Sequence, residues 1–256
     1  DWSSDVCSSD LKGYDLGGVG EGSGDDHPVR DVSWYDVVKW SNARSEKEGL
    51  GAVYWVDGGV YRSGEYETDG SGRVEQRGGS GYRLPLEAEW EWAARGGVRS
   101  GGFTYSGGND ASEVGWFASN SVNSPFPLWT SGGNEDMGTW AVGSKIANEL
   151  GLYDMSGNVR EWCWDADGDD RRLRGGLWAY GPELMAVGYR DKAPADYRND
   201  FQGFRIARGL EMVSVEGGTL PEGSELAGTL VGPFEIARYE VTWGLWKRVR
   251  AWAVQN

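Results

Sequence analysis

Apolar residues recur at helical spacing in three stretches of this 256-residue chain. Trp34, Val37, Val38 and Ser41 fall on one face of a helix opened by Ser33, with Asp36 three positions on in a short relative of the capping box, and stopped by Gly49. A second helix follows Pro85, with Trp90, Ala93 and Ala94 as its apolar stripe and Gly96-Gly97 at its end. Leu86 occupies its cap position and offers no oxygen to the first-turn amides, a loss of about 0.5–2 kcal/mol by analogy with Ala at such sites. Glu87, Glu89 and Glu91 offset part of that loss through the helix dipole. The third helix runs from a Thr242 cap through Leu245, Trp246, Val249 and Trp252.

Alternation at period two is shorter. It predicts strands at 53–55 and 60–62 around an Asp57-Gly58-Gly59 turn, then at 159–164, 173–178, 187–190, 204–207, 212–215 and 234–240. Residues 98–150 carry little periodicity and much Gly, Asn and Ser, the pattern of a long ordered loop kept for a reason such as bound metal or function. The fold class expected is α+β, loop-rich, with short mixed strands and two to three helices.

Composition sharpens this picture. With 42 Gly and 15 Trp, turns are set by glycine and the core is wedged by large aromatics. The length suits one large domain or two small ones. A formal net charge of −15 argues against a nucleic acid partner, since it repels a phosphate backbone at long range. No apolar run approaches the ~20 residues that cross a bilayer, so no membrane span is expected. Residues 1–11 read like the in-frame translation of a sequencing adapter, a non-native leader to be set aside. Setting it aside removes Cys7 and leaves Cys163 alone, without an intrachain disulfide partner.

The densest motif is Gly151-Leu-Tyr-Asp-Met-Ser-Gly-Asn-Val-Arg-Glu-Trp-Cys-Trp164. Asp154 and Glu161 flank a Ser156-Gly157-Asn158 turn, so two carboxylates and the turn's carbonyls can converge on a hard cation such as calcium. The plainer reading is a polar turn feeding a core strand, with Trp162 and Trp164 on one face. Together with Pro28-Val-Arg-Asp-Val-Ser-Trp-Tyr-Asp36, Tyr82-Arg-Leu-Pro-Leu-Glu-Ala-Glu-Trp-Glu-Trp-Ala-Ala-Arg-Gly96, Arg174-Gly-Gly-Leu-Trp178 and Gly203-Phe-Arg-Ile-Ala-Arg208, this run resembles the formylglycine-generating enzyme, or sulfatase-modifying factor, family. The resemblance implies a variant of the C-type-lectin-like fold.

The order of the segments departs from the family's. Met212-Val-Ser-Val-Glu-Gly-Gly218 and residues 234–254 resemble its beginning, yet here they follow its end, and Ala251-Trp-Ala-Val-Gln-Asn256 reads smoothly into Lys12-Gly-Tyr-Asp-Leu-Gly. The expected organisation is a window cut from a tandem array of homologous domains. Residues 12–209 form the main part, and 210–256 form the opening strand and helix of the next unit. Those last residues either close the same domain by circular permutation, with Gly209-Leu210 turning 204–208 as a hairpin onto 212–215, or are left dangling or swapped between molecules.

The resemblance also implies where chemistry would be. The active enzymes of the family bind copper through two cysteines and oxidise a substrate cysteine with dioxygen. Carried over, the first cysteine falls on Tyr180, the second on or next to Met185, and a nearby Ser on Leu177. Phenol and thioether do not form the bis-thiolate that soft Cu(I) selects, so copper is not expected. Cys163 reads as a buried structural thiol. His27 alone cannot build the multi-histidine iron site of the related sulfoxide synthases, nor a tetrahedral zinc site. No phosphate-binding glycine loop is present, and scattered carboxylate pairs do not argue for glycoside hydrolysis.

Calcium is the cofactor the resemblance retains, structural in role, on the Asp154 side chain, the Gly157 and Val159 carbonyls and the Glu161 side chain. A second set would draw on Asn120 and Asp136. Two function classes follow. One is a non-catalytic binding or scaffold module whose surface at Leu177, Trp178, Tyr180, Met185, Tyr189 and Arg190 takes a polar ligand, peptide or glycan. The other is an enzyme of altered chemistry, alone or beside neighbouring units that carry the cysteines.

Overall fold

The computed structural model describes residues 13–65, 73–121, 138–208 and 212–255. The 1–11 leader, Asp136 and the Gly209-Leu210 turn lie outside them. In chain order the elements are α1 (Trp34–Lys47), β1 (Tyr54–Val56), β2 (Gly59–Val60), β3 (Glu75–Gln76), α2 (Glu87–Ala94) and α3 (Ala111–Val114). They continue as β4 (Arg160–Asp167), β5 (Asp170–Arg174), β6 (Asp191–Pro194), β7 (Gln202–Gly203), β8 (Met212–Val215), β9 (Gly218–Thr219), β10 (Leu230–Val231), β11 (Phe234–Ala237) and α4 (Trp243–Gln255). This is the expected α+β, C-type-lectin-like architecture, with one short helix more than the apolar periodicity gave.

Each cap has a local cause. At α1 the Ser33 hydroxyl accepts from Asp36 N (3.2 Å) while Asp36 Oδ2 accepts from Ser33 N (2.9 Å), a full capping box. At α2 the expected loss at Leu86 is made good from elsewhere. Asp165 Oδ2 on β4 accepts from Glu87 N (2.6 Å), and Glu89 Oε2 accepts from Leu86 N (2.8 Å). Thr242 Oγ1 caps α4 by accepting from Leu245 N (3.3 Å).

The main sheet has the order β6-β5-β4-β7, antiparallel except where β4 runs parallel to β7. Its strand β4 separates two apolar clusters. Trp162 belongs to the one built on α1 and α4, and Cys163, pointing the other way, belongs to the one built on α2. In the first, Trp40 and Trp246 stack at 5.6 Å, 4° from parallel, and Phe204 meets both edge-on. In the second, Trp90, Ala93 and Ala94 pack with Val215, Leu220, Val231 and Ile236. Residues 212–255 thus supply side chains to both cores.

Three strand expectations shift. The 173–178 strand ends at Arg174, because Gly175 and Gly176 at φ 96° and 74° turn the chain out of the sheet. A Cβ on Gly176 would lie 2.7 Å from the Leu184 carbonyl, so only glycine fits. Residues 187–190 form a turn, with Tyr189 N donating to Ala186 O, and pairing starts at Asp191. The expected hairpin of 204–208 onto 212–215 is replaced by a different neighbour. Ile206 O accepts from Ala237 N (2.8 Å) and Arg208 N donates to Glu235 O (2.7 Å), so β11 lies beside this segment. Strand β8 pairs with β11 instead.

Candidate functional site

The turn before β4 is shaped by three positive-φ residues, Asp154 (56°), Gly157 (90°) and Asn158 (63°). Gly157 is required there, since a Cβ would meet Trp116 O at 2.3 Å. Asn158 ties the turn to its surroundings. Its Oδ1 accepts from Trp140 N (3.0 Å), and its Nδ2 donates to Trp140 O (3.2 Å) and to Glu240 Oε2 (2.9 Å). Glu240 Oε1 also accepts from Val159 N (3.2 Å), so the segment leading into α4 is bound directly to the signature turn.

Three buried carboxylates gather around one guanidinium here. Arg205 forks onto Glu161, with Nε to Oε2 and Nη2 to Oε1 both at 2.6 Å, and Trp90 Nε1 adds a bond to Oε2 at 2.7 Å. Glu161 is therefore largely committed, keeping one lone-pair direction on Oε1. Asp154 differs. Its Oδ2 accepts from Gly143 N (2.7 Å), while its Oδ1 is buried without a hydrogen-bond partner. Burial raises the Asp154 carboxyl to about 6, with the Glu161 charge adding to it. Burial also holds the Glu240 carboxyl well above its usual range, helped by the Asp154 and Glu161 charges.

An orphaned, buried carboxylate oxygen suits a hard cation, and the donor set is all oxygen. Among the described residues, no three Asp, Glu, His or Cys side chains come together closely enough to hold an ion alone. An ion at this turn would thus rest on Asp154 with help from backbone carbonyls such as those of Gly157 and Val159. Asn120 is otherwise occupied, its Oδ1 accepting from Phe117 N (2.8 Å) and its Nδ2 donating to Gly115 O (2.9 Å). His27 Nδ1 pairs with Thr139 Oγ1 at 3.2 Å.

The six residues expected at a ligand surface do not stay together. Leu177 and Tyr180 line a cavity of about 300 Å³ with Leu184, Phe201, Tyr197 and Asn199, closed on one side by the Arg160–Asp191 ion pair. Met185 is fully buried, its carbonyl accepting from Ser156 Oγ (2.9 Å). Trp178 does not line the cavity; its indole N–H donates to Asp200 O (3.2 Å) and its ring lies against Phe201. The Tyr189 carbonyl accepts from Arg174. Arg190 is engaged by Glu87, at 2.7 and 2.6 Å, and by Glu225 at 2.9 Å, so its fork is not offered to a ligand. Cys163 is fully buried and its thiol is pushed well above the usual range by burial, which makes it a poor nucleophile.

Sequence reasoning passed over Asn158, Arg205, Glu240, Arg160, Asp191 and Tyr197. Arg205 and Asn158 stood inside quoted motifs as fold markers, and the buried charge partner that Glu161 requires was a signal available from the sequence. Glu240 and the cavity's aromatic side depend on long-range folding and left no local trace.

The sequence pattern of the sulfatase-modifying factor enzyme 1-like domain matches residues 2–210. The "Chaperone protein LppX" of Paenibacillus barcinonensis is 38% identical over 205 residues, 72% of this chain and 71% of that protein. The formylglycine-generating enzyme of Thermomonospora curvata is 42% identical over 144 residues, 55% of this chain and 35% of that enzyme. A Bos taurus protein named inactive C-alpha-formylglycine-generating enzyme 2 is 37% identical over 142 residues, 50% of this chain and 44% of it. The chain thus spans less than half of these two enzyme-named relatives. Among solved structures, Treponema denticola variable protein 1 superposes with a TM-score of 0.60 at 30% identity, covering 76% of both chains. CarF does so with a TM-score of 0.60 at 31% identity, covering 78% of both.

Proposed function

We propose that this chain, which belongs to the sulfatase-modifying factor enzyme 1-like domain family, is a non-catalytic binding or scaffold module stiffened by calcium at its signature turn. The observation that carries the reading is chemical. By the family resemblance the copper positions fall on Tyr180, which is exposed, and on or next to Met185, which is buried, while the one described cysteine, Cys163, has no accessible surface. None of these forms a bis-thiolate. Relatives whose printed names are a chaperone and an inactive enzyme support a role without turnover.

The calcium part of the reading is supported by the orphaned Asp154 Oδ1 and by an excess of buried carboxylates over guanidinium. Asp154 would hold the ion with turn carbonyls, and Glu161 would contribute its remaining lone pair. The ion supplies charge balance, and the chain supplies the shape of the turn. Permutation belongs to the same proposal. The family pattern ends at residue 210, while 212–255 complete both cores and hold Asn158 through Glu240. They fit the place of the unit's opening strand and helix.

The test is an oxygen-consumption assay with copper and a cysteine-containing peptide, run beside a calcium titration followed by thermal melting. No turnover together with a calcium-dependent rise in the melting midpoint is expected. Turnover by this chain alone would return it to the enzymes with altered chemistry.

A further inference from the structure

The cavity lined by Leu177 and Tyr180 includes positions that the resemblance gives to the family's active site, yet it has a chemical character of its own. Two tyrosines stand unusually open at its mouth, Tyr180 with 51% and Tyr197 with 46% of its surface exposed. Phe201 lies edge-on to the Tyr180 ring at 6.4 Å, fixing that wall. Opposite them, Arg160 Nη1 donates to Asp191 Oδ2, so the charged wall is neutral overall. Asp191 Oδ1 is held by Lys192 N at 2.8 Å.

The polar part of the lining carries donors and acceptors together, in the Arg160 guanidinium, the Asp191 carboxylate and the Asn199 side-chain amide. A hydroxyl is the small group that both donates and accepts, so a guest rich in hydroxyls matches this lining.

Building on the binding-module reading, we infer that this cavity takes one neutral sugar ring, stacked by its C–H face on Tyr180 or Tyr197 with its hydroxyls toward Arg160, Asp191 and Asn199. An anionic ligand is disfavoured by the neutral ion pair and by the acidic chain around it. A peptide needs an extended groove, whereas about 300 Å³ is the small end of ligand pockets, sized for a single ring.

Saturation-transfer NMR on the full chain tests this with methyl glycosides of glucose, galactose, mannose and N-acetylglucosamine, beside glucuronate and a tetraserine peptide. At least one neutral glycoside is expected to receive saturation at its ring C–H protons. Its affinity should fall about tenfold in Tyr180→Ala or Tyr197→Ala, the loss of one aromatic stacking contact. Both tyrosines are half exposed, and an unchanged melting midpoint shows that each variant is folded. Binding of glucuronate alone, of the peptide alone or of no probe overturns the sugar assignment, as does sugar binding indifferent to both substitutions. None of those results touches the non-catalytic reading, which stands or falls on copper-dependent turnover.

Discussion

Asp154→Asn separates a carboxylate that waits for an ion from one that merely shapes a turn. Asp154 is buried, and its carboxyl is raised from 3.8 to about 6, chiefly by burial. Between those values the folded chain holds a proton that the unfolded chain releases, so stability falls as pH rises. The group's contribution is full below about pH 4 and has gone once pH passes about 6. Two pKa units at about 1.36 kcal/mol each make the ionised group cost roughly 3 kcal/mol at pH 8 in the absence of metal. Asparagine carries no charge, tolerates the positive φ of 56°, and keeps an oxygen for Gly143 N. In EGTA at pH 8 the variant should therefore be more stable by up to about 3 kcal/mol, roughly 6–12 °C for a chain of this size, with the gain gone by pH 4. Calcium should nearly close the gap. At about a hundred times Kd it adds roughly 2.7 kcal/mol to the unsubstituted chain and little to the variant. Melts in EGTA and in calcium across pH 4–8 read both arms. A variant less stable in EGTA at pH 8, or equal calcium shifts in both proteins, refutes the reasoning.

Three further outcomes are expected. Arg205→Met strands the Glu161 carboxylate in a fully buried place with only the Trp90 N–H beside it, and should cost about 3–5 kcal/mol in urea unfolding; Arg205→Lys, lacking the fork, should recover only part. Trp246→Ala removes the ring stacked on Trp40 and should cost about 3–5 kcal/mol in one cooperative transition. A separate early melt of 212–255 would show that those residues do not share the core. Cys163, with no exposed surface, should resist iodoacetamide in the native chain and react only on unfolding, followed by mass spectrometry.

How much of this was legible in the sequence depended on range. Helices α1 and α4 showed in their caps and apolar stripes because both signals are local. The cap of α2 did not, since Leu86 has no oxygen and Asp165 reaches it from a strand 78 residues away. Strand ends failed where backbone turned for reasons of packing, as at Gly175-Gly176, whose apolar followers Leu177 and Trp178 mimic a continuing strand. The candidate ligand surface, placed by family resemblance, divides in the structure: Leu177 and Tyr180 line the cavity, while Met185 turns into the core and Arg190 toward Glu87. The aromatic and charged walls came instead from 160, 191, 197 and 201.

On the non-catalytic reading proposed above, the signature turn accounts for a motif that stays without the family's chemistry. Glu161 and Arg205 neutralise each other, which leaves Asp154 and Glu240 as two buried carboxylates without a cation of their own. Burial penalises that pair until the deficit is met, by two protons or by one divalent ion. The raised carboxyls of Asp154 and Glu240 and the orphaned Asp154 Oδ1 are thus two expressions of one imbalance. The turn is built by Asn158, Glu240 and the backbone at Gly157, and Met185 meets it through its main-chain carbonyl, which accepts from Ser156 Oγ. The residues that hold the turn are therefore a different set from Tyr180 and Leu177, and substitution of the latter should leave the turn intact.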